Sequence, residues 1–503
     1  MLTRTDYMVI VLYLLLVAGL GVVAKRLIHG LEDYFAAGRR VPWWVAAISH
    51  HISGYSAFAF VGYAAVAYNV GFNVWTLFAL PCFVAMSLGA FVWAPRWVRL
   101  KVLTPVEYLE RRFNNLVRQL VAWSGILIKF MDEGLKLYSL ALVVATCTGM
   151  PLEGTIIGCG VVAIVYLLFG GLWAEILTDF VQFVVQFLIT LILVPAVLTA
   201  VGGWRNMWAQ LPPSHFTLFS ERFDLPYILV FLMVITLSYN GGTWGLAQRF
   251  YALGRPADAK KAALLSAALY LVYPLAIYTP VWASSLLLGP LPEAQREQAY
   301  ILVAQKYLPT IAPGLLGLLV SAMFAATMSM IDSDLNALAA VFTKDIYQRT
   351  LNPRASEGHL FRVGLLATAI FGAVTVACGL ATVRVEGAEK AFAAMVKWYA
   401  ALLGPVAIPL LFGMLYRHTT WRGALAAWLG GFVTFVVSKY WLVGWAVRSF
   451  TGYPPSEELA WTLYTGAELL VTLGIFLLEG RLGRMTEQEE TRVEALFAQL
   501  RER

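Results

Sequence analysis

Hydrophobic positions along this chain neither alternate with polar ones nor fall on a single helical stripe. They run on for twenty or so residues at a time, stop at a short polar stretch, and begin again. This is the pattern of helices that are apolar all round, each with the roughly 20 residues that one bilayer pass needs. It predicts thirteen passes, at 7–24, 42–68, 71–95, 117–147, 153–172, 175–201, 226–250, 258–288, 311–343, 360–383, 392–415, 420–440 and 460–479. The polar stretches between them are too short for a soluble domain, which takes about 50 residues or more. The first pass is too long for a signal-peptide core and has no small-residue cleavage site after it, so it reads as an uncleaved span. Beyond Gly480 a helical stripe takes over. Thr486 and Glu489 read as a capping box, and Val493, Leu496, Phe497 and Leu500 form one apolar face, so a small helix docked on the membrane domain is expected.

Composition agrees. The chain is 60% hydrophobic and 13% charged, against about 45–50% and 25% for a soluble domain. That excludes a soluble multidomain enzyme, a disordered chain, a coiled coil and a disulfide scaffold. Cys82, Cys147, Cys159 and Cys378 all sit in apolar stretches without metal-ligand spacing. The net charge of +7 could suggest a nucleic-acid partner, but Arg and Lys crowd alternate connections. One set contains Lys25, Arg26, Arg39, Arg40, Arg96, Arg99, Lys101, Arg111, Arg112, Arg249, Arg255, Lys260, Lys261, Lys344, Arg349, Arg354, Arg362, Arg417 and Arg422; the other is sparse, with only Arg205, Arg222, Arg296, Lys306, Arg384, Lys390, Lys439 and Arg448. By the positive-inside rule the first set is cytoplasmic, which puts the N-terminus outside and the C-terminus inside a plasma or inner membrane. The charge is then a topology signal.

Two passes are interrupted. The second contains Ser53-Gly-Tyr-Ser56 near its middle, and the seventh contains Tyr239-Asn-Gly-Gly-Thr243. They are five passes apart and run in opposite directions, as the broken helices of inverted-repeat transporters do. Ordinary Gly-rich packing is the rival reading of either break alone. Ionisable residues inside passes are costly and are functional candidates by default. The fourth pass carries Lys129, Asp132, Glu133 and Lys136, spaced so that they share a face and can pair. The sixth carries Glu175 and Asp179, the ninth Asp332 and Asp334, and the eleventh Lys397; His50 and His51 precede the first break.

The motifs resemble those of the sodium:solute symporter family. Asp33-Tyr-Phe-Ala-Ala-Gly-Arg39 leads into the second pass, and Gly170-Gly-Leu-Trp-Ala174 with Thr178, Asp179 and Gln182 runs from the end of the fifth pass into the sixth. Gln248-Arg249 closes the seventh pass. Ser329 to Asn336, with Phe342-Thr-Lys-Asp-Ile-Tyr347, marks the ninth. The resemblance implies an all-α membrane protein of LeuT type, with inverted five-helix repeats among about thirteen transmembrane helices. Its implied organisation is a first helix and loop (1–40), a first repeat (41–201), a second repeat (202–416), two further spans (417–480) and an amphipathic tail (481–503).

The resemblance also implies Na⁺ as coupling ion and no other cofactor. Na⁺ would be held by the carbonyls of Ile52, Tyr55 and Ala326 and the hydroxyl of Ser329. The next family position is a hydroxyl and here is Met330, so Asp332 or Ser333 is expected to supply the lost oxygen. Asp179 is expected on the ion's inner route. Solute contacts are expected from Ser53, Gly54, Ser56, Asp132, Tyr239, Asn240, Trp244 and Lys397, with Asp132 and Lys397 reaching one cavity. A carboxylate and an ammonium there suit a sugar, a polyol or a zwitterion such as an amino acid. Proton coupling or ion-independent transport on the same fold is the alternative, with His50, His51 or Asp332 as proton sites. No nucleophile motif, metal spacing or phosphate loop supports an enzyme, and the stretch after the last pass is too short for a signalling domain.

Overall fold

A computed structural model describes residues 2–26, 30–385 and 390–501. Its main helices are α1 (Arg4–Lys25), α2 (Trp43–Ile52), α3 (Ala57–Val70), α4 (Asn73–Val92), α5 (Asn115–Thr148), α6 (Leu152–Ala200), α7 (Leu225–Leu237), α8 (Trp244–Tyr251), α9 (Pro256–Leu288), α10 (Leu315–Ala340), α11 (Glu357–Thr382), α12 (Ala401–Phe412), α13 (Trp421–Val437), α14 (Glu457–Leu482) and α15 (Glu487–Arg501). No strand occurs among the described residues. Local chemistry sets the ends. Asn114 accepts from the Val117 N–H and Asp224 from the Tyr227 N–H, each capping a helix start. Gly149, at φ 76°, closes α5 in the left-handed conformation that glycine adopts without strain.

Among the described residues nine helices are long and apolar enough to cross a membrane, or up to eleven when two bent pairs are counted as passes. The count of thirteen is not reproduced, for two visible reasons. The pass at 42–68 is split into helices of 10 and 14 residues, each too short alone. The passes at 153–172 and 175–201 form one uninterrupted helix, α6, of 49 residues; at 1.5 Å per residue it is about 73 Å long, more than twice a bilayer core. Polarity changes at Glu175 without a break in backbone hydrogen bonding, so hydropathy divides what the backbone joins.

α10 lies at the centre, packed against α1, α5, α6, α8 and α11, and nearly every residue on it is buried. The outer helices turn Leu12, Leu127, Leu191, Leu366 and Leu470 outward, each more than half exposed, as a lipid-facing belt requires. The tail helix α15 forms as expected. Thr486 N–H donates to Glu489 and Glu489 N–H to Thr486, and Val493, Leu496 and Leu500 are buried.

Both interruptions are real breaks. Between α2 and α3 the chain unwinds over 53–56 and Ser56 is extended, its hydroxyl capping the Phe58 N–H. Gly54 leaves room for Tyr270: a Cβ there would meet the phenol oxygen at 1.7 Å. Tyr270 donates to the His50 carbonyl (2.8 Å) and Tyr239 to that of Gly54 (3.1 Å). Between α7 and α8, Gly241 takes φ 151° and Thr243 is extended. The carbonyl of Asn240 there accepts from Trp97 (2.8 Å). Side chains thus satisfy backbone groups released where no water substitutes.

Candidate functional site

Three features meet between the two breaks and α10. The first is a cavity of about 80 Å³. Gly54 and Ser56 reach it from the first break, Tyr239 and Thr243 from the second, Asp132 and Lys136 from α5, and Met330 from α10. Its other walls are apolar and aromatic, including Phe58, Ala59, Tyr63, Phe78 and Phe231.

The second is the charged face of α5. Lys129 lies 2.8 Å from Asp132 and 2.7 Å from Asp334; Lys136 lies 2.9 Å from Asp132, 2.6 Å from Glu133 and 2.9 Å from Asp334. The pairing within α5 was legible from spacing, but its fifth member, Asp334, comes from α10. Asp334 also accepts from the Gly245 N–H (3.1 Å), at the start of α8. Three carboxyl groups and two ammoniums thus share one buried cluster. Charges taken out of water are retained only when each is closely paired.

The third is built around Arg249, fully buried on α8. It donates to Ser49 (3.0 Å), Ser53 (2.9 Å), Asp179 (3.0 Å), Glu175 and the Gly245 carbonyl. Ser53 lies 2.8 Å from Ser329 across the two helices. Ser333 donates to Glu175 and to the Ser329 carbonyl, and Ser49 to Asp179. One turn away, Thr327 accepts from the Ala57 N–H (2.9 Å), tying the first break to α10 beside Ala326. Glu175 Oε2, Asp179 Oδ1 and Asp332 Oδ1 are buried and accept no hydrogen bond.

The expected site residues separate. Ser53, Ser329, Ser333 and Asp179 converge on Arg249; Ile52, Tyr55, Ala326 and Asp332 lie buried at the same two helices. Gly54, Ser56, Asp132 and Tyr239 line the cavity. Four expected solute contacts need correction. Lys397 is 3.0 Å from Glu457 at the partly exposed edge of the molecule, not in a cavity shared with Asp132, whose partners are Lys129 and Lys136. Asn240 turns away to donate to the Ala85 and Thr236 carbonyls. Trp244 packs on Gly125, where a Cβ would come within 2.3 Å of its ring. Ser53 faces the Arg249 cluster rather than the cavity. His50 is a packing residue, 3.1 Å from the Ser266 hydroxyl, and His51 sits among the rings of Tyr55, Phe183, Tyr270 and Tyr273. Two contributors were missed. Arg249 appeared only as part of a motif, and Glu175 only as an intramembrane charge; a turn's spacing from Asp179 was the available signal for the latter.

A family model described as the sodium:solute symporter family matches residues 34–431. The sodium/glucose cotransporter of Vibrio parahaemolyticus is 28% identical over 462 residues, covering 84% of this chain and 83% of the relative. The sodium/sialic acid symporter NanT of Aliivibrio fischeri is 25% identical, covering 87% of each. Among solved structures, the substrate-bound outward-open state of a Na⁺-coupled sialic acid symporter superposes with a TM-score of 0.79 at 18% identity, over 97% of this chain and 99% of that one. A closed conformation of Mhp1, a nucleobase-cation-symport-1 family transporter, gives 0.58 at 15% identity, over 92% and 98%.

Proposed function

The chain belongs to the sodium:solute symporter family, and from that premise we propose how its residues divide the work of transport. It is a multi-pass membrane transporter of LeuT-type fold, not an enzyme, and it couples a small solute to Na⁺.

Na⁺ enters between the first break and α10. The carbonyls of Ile52, Tyr55 and Ala326 and the Ser329 hydroxyl face it, with an oxygen of Asp332 or Ser333 in place of the missing hydroxyl at 330. Glu175 joins them. Hard cations take several oxygen ligands, and Glu175, Asp179 and Asp332 each keep a free buried oxygen here. Arg249 holds the cation position through Ser53 and the two α6 carboxylates. An arriving Na⁺ competes with it for Ser53, the partner of Ser329, and Asp179 lies on the ion's inner route. The single observation that carries this reading is the Arg249–Ser53–Ser329 chain joining the first break to α10.

The solute occupies the cavity between the breaks. Its charged wall carries one carboxylate, Asp132, and one ammonium, Lys136, and its other walls are largely aromatic and apolar, which suits a zwitterionic solute with an apolar part. The hydroxyls of Ser56, Ser238 and Thr243 also line it, so a polyol is the alternative solute. The relatives' glucose and sialic acid are not carried over. The repeats are 41–201 and 202–416, and the densely basic connections face the cytoplasm with the C-terminus.

The test is uptake by proteoliposomes of labelled amino acids, amines and polyols under Na⁺ and pH gradients. Na⁺-driven uptake of an amine or zwitterion that falls at least about tenfold in Ser329→Ala is expected, for the loss of an ion-bound oxygen. Uptake indifferent to Na⁺ and driven by a proton gradient would falsify the sodium site.

A further inference from the structure

A further charged site, sharing no lining residue with the cavity between the breaks, lies where the tail helix α15 meets the connection between α12 and α13. The cavity there is about 320 Å³, and Arg96, Arg417, His418 and Arg501 line it together with Tyr416 and Phe497. None of these four basic side chains forms an ion pair with a carboxylate among the described residues; Arg417 and His418 instead lie 3.4 Å apart. Three guanidiniums facing one space repel each other, and an anion between them removes that cost.

The walls are fixed before any ligand arrives. Arg112 donates to the carbonyls of Gly413 (3.0 Å), Tyr416 (2.8 Å) and Thr419 (3.0 Å), which shapes the turn that carries Arg417 and His418. Gln499 on α15 donates to the Arg99 carbonyl (2.5 Å) and accepts from Arg111 (3.3 Å), which holds the tail helix against the other wall. Both helix ends at this point, that of α4 at Val92 and that of α12 at Phe412, are ends of apolar helices, so the cavity sits at headgroup depth. Arginine forks match phosphate oxygens two at a time, and basic pockets at this depth suit anionic headgroups.

We propose that this cavity is a phosphate-binding site, filled by the phosphate of an anionic phospholipid headgroup or by free phosphate, and that its ligand clamps the tail helix to the transport domain. The full chain is placed in nanodiscs of phosphatidylcholine with or without phosphatidylglycerol, and bound lipid is counted by native mass spectrometry while thermal unfolding is followed. Phosphatidylglycerol is expected to stay bound and raise Tm, and Arg417→Gln with Arg501→Gln to weaken that binding at least about tenfold. Arg205→Gln, in the sparse set of connections, should leave it unchanged. A Tm rise from millimolar inorganic phosphate in phosphatidylcholine alone, lost in the same double variant and not given by chloride of equal ionic strength, identifies free phosphate as the occupant. An unchanged Tm of the double variant in phosphatidylcholine shows that it folds; if it does not fold, Arg417→Lys with Arg501→Lys keeps the charge, lacks the fork and should lose binding several-fold. The proposal is overturned if neither lipid nor phosphate is held, or if the folded variants bind as the unsubstituted chain does.

Discussion

Arg249 is the residue on which most of the site depends. It is fully buried with two carboxylates and two serine hydroxyls. Removing one partner of a buried ion pair leaves the other uncompensated, at a cost of about 3–5 kcal/mol. Arg249→Gln should therefore lower the unfolding midpoint sharply, and Glu175→Gln added to it should recover part of the loss; additive losses in thermal unfolding would show that the two do not act as a pair. Met330 belongs to a different surface from Ser329, because it lines the cavity between the breaks, the proposed solute site. Met330→Ser should change the solute KM while moving the half-saturating Na⁺ concentration by less than about twofold, well under the 1.4 kcal/mol of a tenfold change. Asp179→Asn removes a carboxylate but keeps its shape, and should slow Na⁺-driven uptake by roughly tenfold or more.

At the scale of elements, the two breaks are held open by side chains from neighbouring helices. Gly241, at φ 151°, has the Trp97 ring 2.7 Å from where a Cβ would stand. Gly241→Ala is strained and crowded together, and should abolish uptake while the protein still reaches the membrane, as uptake and surface abundance measured side by side would reveal. A second junction lies outside the bilayer. Glu110 pairs with Arg349 and Arg118 (2.6 Å to the latter), and its hydrogen bonds from Arg349, then those from Arg118, outweigh burial and hold its carboxyl below the usual range. A depressed folded-state pKa gives stability that is full above the unfolded value of about 4.3 and is lost as pH falls through the folded one. Acidification below about pH 4.3 should loosen this junction, and Glu110→Gln should flatten that part of the stability–pH profile.

For the whole molecule, the coupling has a calculable size. A potential of about 100 mV contributes roughly 2.3 kcal/mol per charge, and a tenfold Na⁺ gradient about 1.4 kcal/mol. One Na⁺ per neutral or zwitterionic solute therefore supports accumulation of several hundred-fold. A measured ratio of thousands under those gradients would require a second ion. At the proposed ion site the carboxyl groups of Glu175, Asp179 and Asp332 outnumber the single guanidinium of Arg249.

Hydropathy by itself determined that the chain is a bundle of membrane helices, because hydrocarbon selects uninterrupted apolar runs whatever their neighbours. Glycine and small polar residues marked both breaks, since a helix cannot hide a φ of 151° or a missing Cβ. The α5 charge cluster was visible too, because residues three and four apart share a face in any helix. Tertiary structure alone decided the rest. Asp334 joins that cluster from α10, Lys397 goes to Glu457 at the edge, and Arg249 crosses from α8 to Ser53 and the α6 carboxylates. Those pairings run between helices far apart in sequence, and intrahelical spacing carries no information about which faces the packed bundle turns toward one another.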